Sequence, residues 1–245
     1  MTELPVIERH RLETRRRRLT VAAVERLSPA MLRLVLQGDE LEGFTSLSPD
    51  DHIKIFVPDG TGGAAMRDYT PRRHDAAAGR LWLDFALHDA GPATLWALSV
   101  KPGDIAEIGG PRGSQVIGGP IVHWVLVGDE TALPAIARRI EELPAGARVT
   151  SLVAVPSAAD EQVFDTEADH RAIWVHRDSA TDPVPVLARL AEVEMIPGTF
   201  VWIAAEAGVA RALRDHFLDR GHHKAWMKAS GYWVAGQADA SDKNL

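Results

Sequence analysis

The hydrophobic rhythm of the chain changes at Gly118-Gly119-Pro120. Before that point apolar and polar residues alternate in short runs. His52–Val57 sets Ile53, Ile55 and Val57 against His52, Lys54 and Phe56. Arg80–His88 sets Leu81, Leu83, Phe85 and Leu87 against Trp82, Asp84, Ala86 and His88. A period of two with one apolar face is the pattern of an antiparallel strand wetted on one side. Further strands are expected at Leu19–Leu27, Met31–Gln37 and Ile105–Ile108, the first two flanking a Ser28-Pro29 turn. These short strands, with one short helix among them, predict a small closed antiparallel β-barrel. Beyond Pro120, Ile121–Val127 is an almost unbroken apolar run, as in a strand buried on both faces. Val149–Val155, Ala172–Val175 and Thr199–Ala205 follow as strands, with helices ending near Leu143 and spanning Val184–Val193 and Val209–Leu218. That alternation predicts a parallel sheet covered by helices. The chain therefore reads as two domains, a β-barrel over 1–118 and a parallel-sheet α/β domain over 119–245.

Composition narrows the chemistry. Of 245 residues, 46% are hydrophobic and 25% charged, an ordinary soluble mixture with enough apolar surface for two cores. A net charge of −7 argues against general nucleic-acid binding, which needs a basic face. Cysteine is absent, so disulfides, thiolate-bound zinc and cysteine-ligated iron–sulfur clusters are excluded, and electron transfer here would need an organic cofactor. No apolar run reaches the roughly 18 residues of a membrane span, and no signal peptide is read at the start, so no membrane insertion and a cytoplasmic location are expected. The Arg15–Arg18 run reads as part of a solvated arm, and the small polar tail from Ala238 as disordered. His222 and His223 are adjacent and do not share a helix face, so no metal site is expected there.

The stretch Met66-Arg67-Asp68-Tyr69-Thr70-Pro71-Arg72-Arg73-His74 carries the most specific chemistry. In an extended chain Arg67 and Tyr69 share a face, a guanidinium fork beside a flat ring. A dinucleotide flavin needs such a pair, the fork for its pyrophosphate and the plate for its ring system. Pro71 has no amide hydrogen for a ladder, so the backbone is expected to leave the strand at Thr70 and free that hydroxyl. An ordinary edge strand carrying a tyrosine fits the same nonapeptide. Gly91-Pro92-Ala93-Thr94-Leu95-Trp96 reads as a helix start whose free amides suit a phosphate, or as a plain strand–helix junction. Lys54 is either a charged strand face or an attractor for an anionic ligand.

Ligands of a parallel sheet bind at the carboxyl ends of its strands. Two junctions qualify, Val127-Gly128-Asp129-Glu130-Thr131 and Ile203-Ala204-Ala205-Glu206-Ala207-Gly208. Neither is a Gly-x-Gly-x-x-Gly fingerprint. Thr131 can cap the helix, while Asp129 and Glu130 favour its dipole but repel a pyrophosphate. Weak, transient nucleotide binding is the expectation. Pro156–Glu161, beyond the second strand, carries two acids and no Arg or Lys for a 2′-phosphate, which favours NADH over NADPH.

Arg67-x-Tyr69-Thr70 resembles the flavin signature of ferredoxin-reductase-like flavoproteins. Arg67-Asp68-Tyr69-Thr70-Pro71-Arg72-Arg73 resembles the version found in siderophore-interacting proteins, the ferric-siderophore reductases. The resemblance extends over residues 19–236, through the Gly91-Pro92-Ala93-Thr94 segment, Gly128-Asp129-Glu130-Thr131-Ala132-Leu133-Pro134-Ala135-Ile136 and Gly231-Tyr232-Trp233. It implies that Arg67 and Asp68 contact FAD, that Tyr69 stacks on its ring system, and that Thr70 bonds near its redox nitrogen. It makes Asp84, Phe85, Leu87 and His88 the strand side of a second FAD segment, with Gly91, Pro92, Ala93 and Thr94 at the pyrophosphate. Gly128, Asp129, Glu130, Thr131, Ala205 and Glu206 would contact the nicotinamide nucleotide, NADH or NADPH, and Tyr232 and Trp233 would return to the flavin. Lys54 and Arg112 would draw in an acidic ferric siderophore. Val234 replaces the family's arginine after Trp233, a basic contact for which Lys228 is the expected substitute. Ala205 replaces a family glycine.

The resemblance thus implies a monomeric reductase moving electrons from NAD(P)H through FAD to a ferric siderophore, with release of ferrous iron. Two rivals stand beside it. One is a reductase of free flavin or of a protein acceptor on the same scaffold. The other is a siderophore-binding protein that has kept the fold without the chemistry.

Overall fold

The structure is a computed structural model and describes residues 3–88, 91–243 and 245. The chain divides into Ile7–Val116 and a unit made of Ile117–Leu245 with the N-terminal stretch ending at Val6.

The first unit contains β1 (Val6–Arg11), β2 (Arg16–Ser28), β3 (Met31–Gln37), β4 (Ile53–Pro58), β5 (Ala64–Tyr69), β6 (Pro71–Asp75) and β7 (Arg80–Ala86). The helix α1 (Pro92–Ser99), β8 (Ile105–Gly109) and β9 (Gly113–Gly118) follow. Seven strands form one antiparallel sheet in the order β5-β4-β8-β2-β3-β7-β6, and β1 pairs with β9. The period-two pattern fills its core: Ile53, Ile55, Leu34, Leu36, Leu81, Leu83, Phe85 and Ile108 are all at most 1% exposed. The two edge strands, β5 and β6, are consecutive in sequence and joined through Thr70 alone. The sheet therefore curls until its edges meet at that residue. Among the described residues no ladder joins β5 to β6, so the expected closed barrel is a curled half-barrel with an open seam.

Two expectations fail at the chain's ends. The Arg15–Arg18 run is not a solvated arm, because β1 precedes it and Arg16–Arg18 open β2. Arg17 is only 4% exposed and donates to the carbonyls of Glu40 (2.9 Å), Arg15 (3.3 Å) and Gly110 (3.2 Å). The tail beyond Ala238 is tied back: Gly231 and Asp242 exchange two backbone hydrogen bonds, and Arg211 pairs with the Asp242 carboxylate at 3.1 Å.

The second unit contains β10 (His123–Asp129), α2 (Leu133–Glu142), β11 (Arg148–Val155), β12 (Asp169–His176), α3 (Val184–Arg189), β13 (Thr199–Glu206), α4 (Ala207–Asp219) and β14 (Met227–Trp233). Its five strands run parallel in the order β12-β11-β10-β13-β14. Every residue of β10 and β13 is buried, as their unbroken apolar runs require. The chain steps outward from β10 to β12 and then crosses to β13. The strand order thus reverses between β10 and β13, which puts a crevice at their carboxyl ends. Among the described residues no helix is long and apolar enough to cross a membrane.

Candidate functional site

In the half-barrel the site begins on β5, where Ala65, Arg67 and Tyr69 share the core-side face and Met66 and Asp68 the other. Tyr69 is half-buried, its ring 4.1 Å from that of Phe85 at 35°, and Phe85 in turn lies 6.0 Å from Trp96. Burial pushes the Tyr69 phenol well above its usual range, so it stays protonated, while the charge of Arg67 pulls weakly the other way. Arg67 donates to the Met66 carbonyl at 2.9 Å. The ladder breaks between Tyr69 and Pro71, where the proline predicts it, and Thr70 sits in the seam 8% exposed.

α1 packs against β4, β5 and β7. Gly91 is its N-cap residue and Pro92 starts its first turn, and no side chain caps it. The amides of Ala93 and Thr94 therefore have no side-chain acceptor there, although both residues are buried. A half-exposed ring backed by Phe85, an arginine on the same face, and an uncapped helix start on the neighbouring element are the three features an FAD dinucleotide requires. The residues present fit that group.

Other expected contacts are turned elsewhere. Asp68 lies on the opposite face of β5, its carboxylate 3.0 Å from Lys54 Nζ, so only its backbone faces the Arg67–Tyr69 side. Asp84 is 4% exposed and held by a two-pronged bond from Arg33 (2.7 and 2.8 Å), with Arg72 at 3.8 Å. Phe85 is fully buried and supports the site from beneath Tyr69. Leu87 packs on the core and donates its amide to the Ala30 carbonyl, and His88 is exposed. Asp89 and Ala90, which link His88 to Gly91, lie outside the described residues. Arg112 is exposed in the loop after the cis Gly110–Pro111 bond, the loop that Arg17 holds by its Gly110 carbonyl.

In the α/β unit, Gly128 serves packing. A Cβ there would stand 2.6 Å from the Ala204 carbonyl and 2.9 Å from the Ala132 and Ile136 side chains. Asp129, 3% exposed, is a hub. One carboxylate oxygen accepts from the Thr131 amide (2.9 Å) and hydroxyl (2.5 Å), the other from the Glu206 amide (2.9 Å) and the Trp233 indole (3.0 Å). Thr131 thus bonds backward to Asp129 instead of capping α2, whose N-cap position is Ala132. Glu206 caps α4, accepting from Gly208 (2.6 Å) and Val209 (3.1 Å), and its second oxygen accepts from Ala235 (3.2 Å). Glu130 forms an ion pair with buried Arg177. Burial pushes the Glu130 carboxyl up, Asp129 adds to this, and Arg177 opposes it.

Ala205 is buried beside Gly231, Tyr232 is the extra residue of a β-bulge and meets Trp202 edge-on at 6.1 Å, and Lys228 is half-buried on β14. His222 bonds the Trp226 carbonyl and His223 the Ala225 amide, so the two rings take separate backbone partners. Sequence reasoning missed Arg177 and Arg33, because each meets an acid remote in sequence: Arg33 pairs with Asp84 across the β3–β7 ladder, and Arg177, just past β12, reaches Glu130, just past β10.

Residues 122–236 match the family described as siderophore-interacting protein, and residues 20–65 and 60–115 match the siderophore-interacting FAD-binding domain. The NADPH-dependent ferric-chelate reductase of Escherichia coli (strain K12) is 34% identical over 252 residues, covering 93% of this chain and 96% of that protein. The chain belongs to the siderophore-interacting protein family. Solved members share its fold. A siderophore utilization protein from T. fusca is 34% identical, with a TM-score of 0.88 over 98% of this chain and 100% of that one. The siderophore-interacting protein SipS from Aeromonas hydrophila is 31% identical, with a TM-score of 0.78 over 94% of each chain. In this siderophore-interacting protein the seam at Thr70 and the start of α1 both fall within the FAD-binding match.

Proposed function

We propose that this protein is a monomeric, flavin-dependent reductase that uses NAD(P)H to reduce the iron of a ferric siderophore and release it as ferrous iron. The arrangement of Arg67 and Tyr69 on one face of β5, beside the uncapped start of α1, carries this reading. FAD, when bound, supplies the conversion of a two-electron donor into one-electron delivery. The chain's own residues bind and orient. Arg67 neutralises the pyrophosphate, the amides of Ala93 and Thr94 take its oxygens, and Tyr69 gives an apolar plate stiffened by Phe85. Thr70 offers a hydroxyl from the seam. Lys54, paired with Asp68, and the exposed Arg112 border the chelate on the half-barrel. The substrate iron gains one electron, and its oxygen-rich chelate then holds it less tightly. No general base is required. The relative named for ferric-chelate reduction supports the substrate class.

The visible spectrum of the purified protein tests the proposal. An oxidised-flavin band should bleach anaerobically with NADH or NADPH and recover on adding a ferric siderophore, with ferrous iron trapped in step. A colourless protein that takes up no FAD would end it. So would a flavin that recovers with free flavin or a protein acceptor but not with any ferric chelate.

A further inference from the structure

The outer face of the half-barrel carries its charges in register. One row crosses the sheet as Asp68, Lys54, Gly109 and Arg16. In the next row Phe56, Glu107 and Arg18 stand side by side. Each cation already has a carboxylate: Lys54 lies 3.0 Å from Asp68, Arg16 2.9 Å from Glu107 and Arg18 3.6 Å from Glu107. Arg16 also lies over the Phe56 ring at 3.9 Å, and the side chain that Gly109 lacks would stand 3.2 Å from that ring. The surface around Lys54 is therefore a nearly neutral, partly aromatic shelf: three cations face two carboxylates.

We infer that this reductase takes ferric chelates of little or no net charge, of the tris-hydroxamate kind, in preference to triply anionic tris-catecholates, and that Asp68 sets the preference by holding the Lys54 ammonium. The inference deepens the proposed function and rests on its placement of Lys54 at the substrate. A triple anion approaching Lys54 meets the Asp68 carboxylate at nearly the same distance, so attraction and repulsion largely cancel. A neutral chelate has no such term and gains from the Phe56 shelf.

Binding of ferrichrome, a neutral tris-hydroxamate, and of ferric enterobactin, a trianionic tris-catecholate, is measured by tryptophan quenching on flavin-loaded protein. The native chain should bind ferrichrome at least as tightly as ferric enterobactin. Asp68→Asn should tighten ferric enterobactin by about ten-fold and leave ferrichrome within about two-fold. The preference should weaken at high salt in the variant and not in the native chain. A native chain that prefers the trianion, or an Asp68→Asn variant whose ratio of affinities is unchanged, overturns the inference. Lys54→Gln separates the two levels. If it alters neither chelate's binding, Lys54 leaves the substrate site and that part of the proposed function falls. If it alters ferric enterobactin while Asp68→Asn does not, only the inference falls.

Discussion

Arg67 and Tyr69 were legible because a strand's period fixes which side chains share a face, whatever the rest of the fold does. A guanidinium facing a pyrophosphate makes charge-assisted bonds worth about 1.5–3 kcal/mol each. Arg67→Ala should therefore weaken FAD by roughly ten- to a hundred-fold, read as free flavin fluorescence after desalting, and a variant with full flavin occupancy would remove the assignment. The orientation of Asp129 was illegible for the opposite reason. From the sequence it is an acid where phosphate should go. In the fold its carboxylate is saturated by Glu206 and Trp233, 77 and 104 residues away, so its orientation is a tertiary fact. Asp129→Asn keeps the shape and replaces one acceptor oxygen with a donor that would face donors. It should lower stability by about 1–3 kcal/mol and change the near-ultraviolet signal of Trp233, whereas an unchanged melting temperature and spectrum would contradict the hub. Asp84 teaches the same lesson, since alternation put it on the wet face and only Arg33 and Arg72, from the neighbouring strands, explain its burial.

Most element types followed from pattern, although β1 and β9 were missed, and boundaries failed where exposure changed along an element. β12 was expected only at Ala172–Val175, yet it runs Asp169–His176, because as an edge strand its first half is polar and largely exposed. What the pattern could not show is how β10, β11 and β12 are cross-linked. His123 Nε2 lies 3.0 Å from the Thr150 hydroxyl, and His170 Nε2 lies 2.8 Å from the Ser151 hydroxyl. Burial holds both imidazoles below the ordinary histidine value of about 6.5, with Arg148 adding to the effect at His123. A histidine whose folded value is depressed is protonated more readily in the unfolded chain. Its contribution to stability is then complete above about pH 6.5 and is lost as pH falls through the window below it. The urea midpoint of the α/β unit should fall between pH 7.5 and 5.5, and His170→Asn should flatten that fall. A midpoint equally pH-sensitive in the variant would show that His170 does not contribute.

For the whole chain, the change of rhythm at Gly118–Pro120 was enough to foresee an antiparallel β domain followed by a parallel sheet. The closure of the first sheet was not foreseeable, because one residue between two edge strands looks the same in sequence whether the edges pair or merely meet. The electron donor belongs to this scale as well, since it depends on what the reversal of strand order between β10 and β13 leaves open. Asp129 and Glu206 fill the two turns there with the protein's own carboxylates, and Glu206 occupies the amides of α4 that a pyrophosphate would otherwise use. Arg177 reaches the end of the second strand through a backbone bond to the Val155 carbonyl, but its guanidinium turns inward to Glu130, so it offers nothing to a 2′-phosphate. The nucleotide should accordingly bind weakly, with no more than a modest margin for NADH over NADPH. In anaerobic stopped-flow, flavin bleaching should rise almost linearly with either nucleotide up to about 1 mM, with rates within about ten-fold of each other, a margin of about 1.4 kcal/mol. Saturation at micromolar NADPH, with NADH far slower, would require a phosphate cradle that these two turns do not contain.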